Sequence, residues 1–187
     1  LEKKIDYLTL FAFSTENWLR EEVEVKDLIS LFFDALEEQT PELREEKVKL
    51  NFIGDISRFN KKLIKQIEKS KKLTEEYEPK LNLIIAASYG GKWDIINAVN
   101  KFYQDKNNKE LNENSLENYL ETKSFPNPDL IIRSGGEKRL SNFYLWQSSY
   151  SELFFSDKLW PDFNEKDFDI ALEDFRSRKR KFGVETG

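Results

Sequence analysis

Short apolar runs, each closed by glycine or small polar residues and each separated from the next by a helical pattern, restrict the folds open to this chain. Tyr7 to Phe13 is aromatic and β-prone, and Ser14, Thr15, Glu16 and Asn17 behind it supply capping and hydrogen-bonding side chains. From Glu24 to Gln39 the apolar residues Val25, Leu28, Leu31, Phe32 and Leu36 recur at helical spacing, and Pro41 marks the expected end. Val48 to Ile53 alternates as a strand does and stops at Gly54-Asp55, after which Leu63, Ile67 and Leu73 outline a second helix. Leu81 to Ala87 is a third strand, closed by Ser88-Tyr89-Gly90-Gly91, and Trp93, Ile96 and Val99 begin the next helix. Polar, Asn- and Lys-rich residues from Gln104 to Asn114 read as an exposed connection. Pro128 to Ile132 is a fourth strand, and a last helix spans about Glu165 to Phe182, carrying Phe168, Leu172 and Phe175 on one face before a basic run. Such alternation implies an α/β fold, a central mainly parallel sheet flanked by helices, with ligands at the C-terminal ends of the strands.

With 187 residues, 39% of them hydrophobic and 14% aromatic, the chain can bury one substantial core, so a single domain over 1–187 is expected. No apolar run approaches the roughly eighteen residues that a membrane-spanning helix needs. Thirty basic against 35 acidic residues leave a net charge of −5, which gives no global field for nucleic acid. Any anion must therefore be held locally. The absence of Cys and His removes disulfides, a catalytic thiol, thiolate metal sites and the commonest neutral-pH base, and leaves carboxylate, hydroxyl, amide and guanidinium chemistry. A cytoplasmic location is expected. The sequence opens at Leu1, almost directly into a strand, which suggests that a preceding segment belongs to the protein.

The densest chemistry lies between Asp129 and Phe155. Just after a strand stand Arg133 and Arg139, planar and permanently charged forks for phosphate oxygens; Gly135 and Gly136, which let backbone N–H groups come close; and the Ser141 hydroxyl. These parts suit a diphosphate. The plain alternative is a glycine turn between solvated arginines.

The segment RSGGEKRLSNFYLWQSSYSELFF, followed by LWPDF, resembles the C-terminal signature of the cis-prenyltransferases, the undecaprenyl diphosphate synthase family. The same family has a loop like Phe13 to Trp18 (FSTENW) with a nearby arginine, here Arg20, a block like Phe52 to Asp55 (FIGD), and a YGG block opening a helix, here Tyr89 to Gly91. All occur in order. The resemblance implies that Arg133, Arg139 and Ser141 hold the diphosphate of isopentenyl diphosphate and that Glu152 helps to position magnesium (Mg2+), a hard ion suited to carboxylate oxygen. It also implies that Asn17 and Arg20 orient the substrate or assist proton loss, with Ser14, Glu16 and Trp18 building the substrate-facing loop. A helix cap is the plain alternative for Asn17 and Glu16, and a surface ion pair for Glu152. An Asp-Gly-Asn block that binds metal and the allylic diphosphate in this family is expected upstream of Leu1. Departures from the family pattern are Ser88 (often Asn), Lys92 (Arg), Ser134 (Thr), Lys138 (His) and Glu21 (Pro). Of these, Lys138 places a cation beside the expected metal site.

The implied activity condenses isopentenyl diphosphate with an allylic diphosphate, farnesyl diphosphate, to a long cis-polyprenyl diphosphate, in bacteria the undecaprenyl carrier for cell-wall polymers. A growing hydrocarbon needs an apolar tunnel, for which Leu81, Leu83, Ile85, Leu31, Phe32 and Phe33 are candidate walls or ordinary core. Trp146, Tyr150 and Leu153 to Phe155 are expected at a homodimer contact, and the lipid product would draw the protein to the membrane periphery. Two other readings stand beside this one. A non-catalytic subunit of a heteromeric prenyltransferase would tend to lose the arginine, serine and glutamate set. A nucleotide-binding protein would need a GxGxxG or Walker sequence, and neither is present.

Overall fold

The computed structural model of the chain describes residues 3–106 and 110–180. The chain divides into two compact units, Leu1–Pro126 and Asn127–Gly187.

The first unit runs β1 (Tyr7–Ser14), α1 (Glu22–Glu45), β2 (Val48–Ile53), α2 (Lys61–Leu73), β3 (Leu81–Tyr89), α3 (Gly91–Gln104) and the short α4 (Glu113–Glu117). Its strands form a parallel sheet in the order β1-β3-β2. β3 takes the centre because both of its faces are apolar, as a parallel strand covered on each side requires. Leu83, Ile85 and Ala87 meet Phe13, Leu36, Leu50, Phe59, Leu63 and Ile67 in the core, while Ile84 and Ala86, which alternate with them, are equally buried. Leu83 and Ile85 therefore have the core role that was the alternative to a tunnel wall. Phe32 and Phe33 pack on the edge of this cluster, and Leu31 is 66% exposed.

Two boundaries differ from the sequence expectation. α1 does not stop before Pro41 but continues through it to Glu45. Pro41 forfeits one backbone hydrogen bond. Thr40, buried beside it, donates its hydroxyl to the Leu36 carbonyl (2.5 Å) and pairs with the Ser70 hydroxyl of α2 (2.8 Å), so helix–helix packing holds the axis where local propensity would end it. β3 extends two residues past Ala87, and Ser88 sits within the strand at φ +53°. Its partner β1 answers with register steps between Phe11 and Phe13 and between Phe13 and Ser14. α2 starts as its sequence indicates, with Asn60 accepting the Leu63 N–H (2.9 Å) and Leu63 and Ile67 buried.

In the second unit β4 (Leu130–Arg133) and β5 (Glu152–Phe155) pair in parallel, with Leu130 opposite Glu152 and Arg133 opposite Phe155. β5 was not anticipated as a strand, because four residues are too few to display a period. α5 (Glu165–Ser177) begins with a reciprocal cap in which the Asn164 N–H donates to Asp167 (2.9 Å) and Asn164 accepts from the Lys166 N–H (3.0 Å). It ends earlier than the expected Phe182, which itself lies outside the described residues. Arg178 leaves the helix with extended backbone, and its guanidinium donates to Glu152 (2.7 Å) and to the Leu153 carbonyl (3.1 Å) of β5. No helix among the described residues is long and apolar enough to cross a membrane.

Candidate active site

In the first unit three loops leave the C-terminal ends of the sheet. After β1, Ser14 and Asn17 close a 3-10 turn over Thr15–Leu19 by a reciprocal box. The Ser14 N–H donates to Asn17 Oδ1 (2.7 Å), and the Asn17 N–H donates to Ser14 Oγ (3.3 Å). The cap proposed as the alternative for Asn17 is thus formed, and it immobilises the carboxamide. Trp18 turns inward, donating its Nε1–H to Ser88 Oγ at the end of β3 (3.0 Å) and packing against Phe13 and Phe59. Arg20 is exposed and pairs with Glu24 one helical turn ahead. After β2, Gly54 stands at φ +115° so close to β3 that a Cβ there would lie 2.1 Å from the Ala87 carbonyl oxygen. After β3, Tyr89 is buried, and its hydroxyl donates to Asp94 of α3 (3.0 Å).

In the second unit Arg133 ends β4, and the chain turns at Ser134-Gly135-Gly136. The two glycines have φ +92° and +76°, which explains their residue type. Their N–H groups, expected to face phosphate, are instead taken by the carbonyls of Lys158 (2.7 Å) and Ser156 (2.9 Å), so the pair builds the turn and does not supply free donors. Arg133 folds over the following loop. Its Nη1 donates to the Arg139 carbonyl (2.5 Å) and to Ser141 Oγ (2.6 Å). Ser141, Asn142 and Tyr144 all lie in left-handed backbone, a costly run that these bonds and the buried Tyr144 ring hold in place. Arg139 is exposed and pairs with Glu137, and Lys138 between them is also exposed. Three cations within seven residues, with one carboxylate, leave a local positive surplus at the end of a strand.

Glu152 does not join them. It opens β5 opposite Leu130, three residues along the ladder from the Arg133–Phe155 pair, roughly 10 Å at the rise of a strand. Its carboxylate is held by Arg178, the ion pair that was its alternative role. No group of three or more acidic side chains among the described residues could cage a metal. Within this unit Glu152 is thus engaged by Arg178, and it would become a metal ligand only once that ion pair opens.

Residues 1–183 match the family described as "Putative undecaprenyl diphosphate synthase". This chain belongs to that family. It is 47% identical over 188 residues to the ditrans,polycis-undecaprenyl-diphosphate synthase, (2E,6E)-farnesyl-diphosphate specific, of Coxiella burnetii, covering 98% of this chain and 79% of the relative. It is 48% identical over 179 residues to an isoprenyl transferase of Neisseria meningitidis, covering 96% and 71%. The fold matches the crystal structure of a probable undecaprenyl diphosphate synthase from Campylobacter jejuni with a TM-score of 0.89 at 38% identity, over 98% of this chain and 86% of that one. It also matches lavandulyl diphosphate synthase from Lavandula x intermedia, solved with dimethylallyl diphosphate, with a TM-score of 0.90 at 36% identity, over 96% and 80%. The α/β architecture expected from the alternation of elements is that of the cis-prenyltransferases. Sequence reasoning missed the partners of its own candidate residues: Ser88 and Arg58 against Trp18, and Arg178 against Glu152. Only Ser88 had a signal, as a departure from the family pattern.

Proposed function

We propose that this chain condenses isopentenyl diphosphate with farnesyl diphosphate, repeatedly, to give a long-chain cis-polyprenyl diphosphate of the undecaprenyl type that carries cell-wall precursors. In each cycle the allylic C–O bond breaks and diphosphate leaves with the electron pair. The double bond of isopentenyl diphosphate then attacks the allylic cation, and loss of a proton leaves a cis double bond. Charge placement is the main task for the protein in such a reaction. The observation that carries the reading is the loop after β4, where Arg133 and Ser141 are already hydrogen-bonded beside Arg139 and Lys138. A diphosphate would replace the internal bonds of Arg133 with charge-assisted ones.

Asn17, Arg20, Ser14 and Trp18 are proposed to face the substrates, and Phe32 and Phe33 to shelter the growing chain. Mg2+ is the proposed cofactor. It would arrive with the diphosphate, since magnesium keeps its waters and binds through one or two carboxylates plus substrate phosphates, and it would screen their charge. Glu152 is the carboxylate proposed for it, which requires its release from Arg178. A homodimer is proposed, with Tyr150, 66% exposed, among its contacts. The non-catalytic subunit reading is not favoured, because Arg133, Arg139, Ser141 and Glu152 are all present and the relatives cited above are named as enzymes.

Incubation of the full-length protein with labelled isopentenyl diphosphate and farnesyl diphosphate, followed by product sizing, tests the proposal. Label is expected in long polyprenyl products, and excess chelator is expected to stop turnover. No incorporation in the presence of magnesium would remove the function, and undiminished turnover in chelator would remove the metal.

A further inference from the structure

Trp18 is gripped from several sides. Its Nε1–H donates to Ser88 Oγ (3.0 Å), the Arg58 guanidinium lies over its ring 4.6 Å from the centroid, and its flanks rest on Phe13 and Phe59 at 4.9 and 5.3 Å between centroids. The C-terminal ends of all three strands of the first unit's sheet thus meet around one indole: Trp18 follows β1, Arg58 follows β2, and Ser88 belongs to the end of β3. Ser88 carries this junction at a cost. It is wholly buried and held at φ +53°, where a residue with a Cβ is strained, and its carbonyl accepts the Asp55 N–H (3.1 Å), tying down the loop that bears Arg58. Strain kept in a buried residue at a strand end points to a positional requirement there. Arg58 itself is exposed and forms no salt bridge among the described residues. It is a permanent cation at the sheet edge where ligands of α/β proteins bind, oriented by an aromatic face.

We propose that Ser88 is a positioning residue that fixes the Trp18 indole and, through it, aims the Arg58 guanidinium as a diphosphate-binding group at the strand ends. Ser88 touches no substrate, and Arg58 makes the contact. The kinetic consequences rest on the prenyltransferase reading above, whereas the hydrogen bond and the anion affinity do not.

The test uses full-length protein labelled with 15N-tryptophan, in which Trp18 is one of four tryptophans of this sequence and its indole signal is assigned with Trp18→Phe. The native Trp18 N–H should exchange slowly with solvent. Ser88→Gly relieves the backbone strain but removes the acceptor, so it should speed that exchange and raise the KM for farnesyl diphosphate several-fold without lowering Tm. Ser88→Asn restores an acceptor and tolerates left-handed backbone, so it should return both towards native. Arg58→Gln should raise the same KM about tenfold and weaken binding of inorganic pyrophosphate comparably, while leaving the Trp18 signal slow to exchange.

Native exchange and native KM in Ser88→Gly would overturn the positioning role. Unaltered pyrophosphate affinity in Arg58→Gln would overturn the anion role. If the native protein shows no turnover at all, the functional reading fails, and the exchange and pyrophosphate measurements still decide this inference.

Discussion

Arg133 and Arg139 share a loop but are held differently. Arg133 is bonded to its own chain at the Arg139 carbonyl and Ser141, so removing it also releases the left-handed run after Leu140, whereas the Arg139 guanidinium pairs with the neighbouring Glu137. Arg133→Ala and Arg139→Ala are each expected to weaken use of isopentenyl diphosphate by roughly 2–4 kcal/mol in kcat/KM, Arg133 by more, as loss of charge-assisted bonds implies. Equal and near-native values would place neither residue on substrate. Gly54 gives a structural counterpart. With φ +115° and a would-be Cβ 2.1 Å from the backbone oxygen of Ala87, Gly54→Ala should lose about 3 kcal/mol or more of stability, read from the denaturant midpoint. An unchanged midpoint would mean that the β2 loop can withdraw from β3.

Among the elements, α5 carries a charge-dependent cap. The hydrogen bond from Lys158 (2.7 Å), and then that from the Asn164 N–H, hold the Asp167 carboxyl below its ordinary range against the opposing pull of burial. A depressed value in the folded state means that the contribution is complete above the unfolded carboxyl's pKa, about 3.9, and is lost as pH falls through the folded value. Asp167→Asn should therefore be less stable than native at neutral pH, and the gap in denaturant midpoint should close below about pH 4. A gap independent of pH would show that the cap acts without its charge. α1 shows how packing overrides a helix breaker. Pro41 is a stop signal by local rules, yet the buried Thr40–Ser70 contact carries the helix four residues further, and nothing in the local pattern announces that contact.

For the whole molecule, a net charge of −5 with three cations gathered after β4 means that anion binding is a local property. The proposed homodimer should sediment at twice the monomer mass, and Tyr150→Asp should shift it towards monomer; a native protein that sediments as a monomer would remove that part of the proposal. The α/β class, the strands β1 to β4 and the loops bearing Ser14, Asn17, Arg133 and Ser141 were legible without coordinates. Periods of two and about three and a half residues, and glycines at turns, are local signals that short windows contain. Three-dimensional packing settled the rest. It occupied the N–H groups of Gly135 and Gly136 with the Lys158 and Ser156 carbonyls just past β5, paired Glu152 at the start of β5 with Arg178, and brought Ser88 to Trp18. Each is a contact between segments distant along the chain, created only when the strands take their register, and no short stretch of residues encodes it.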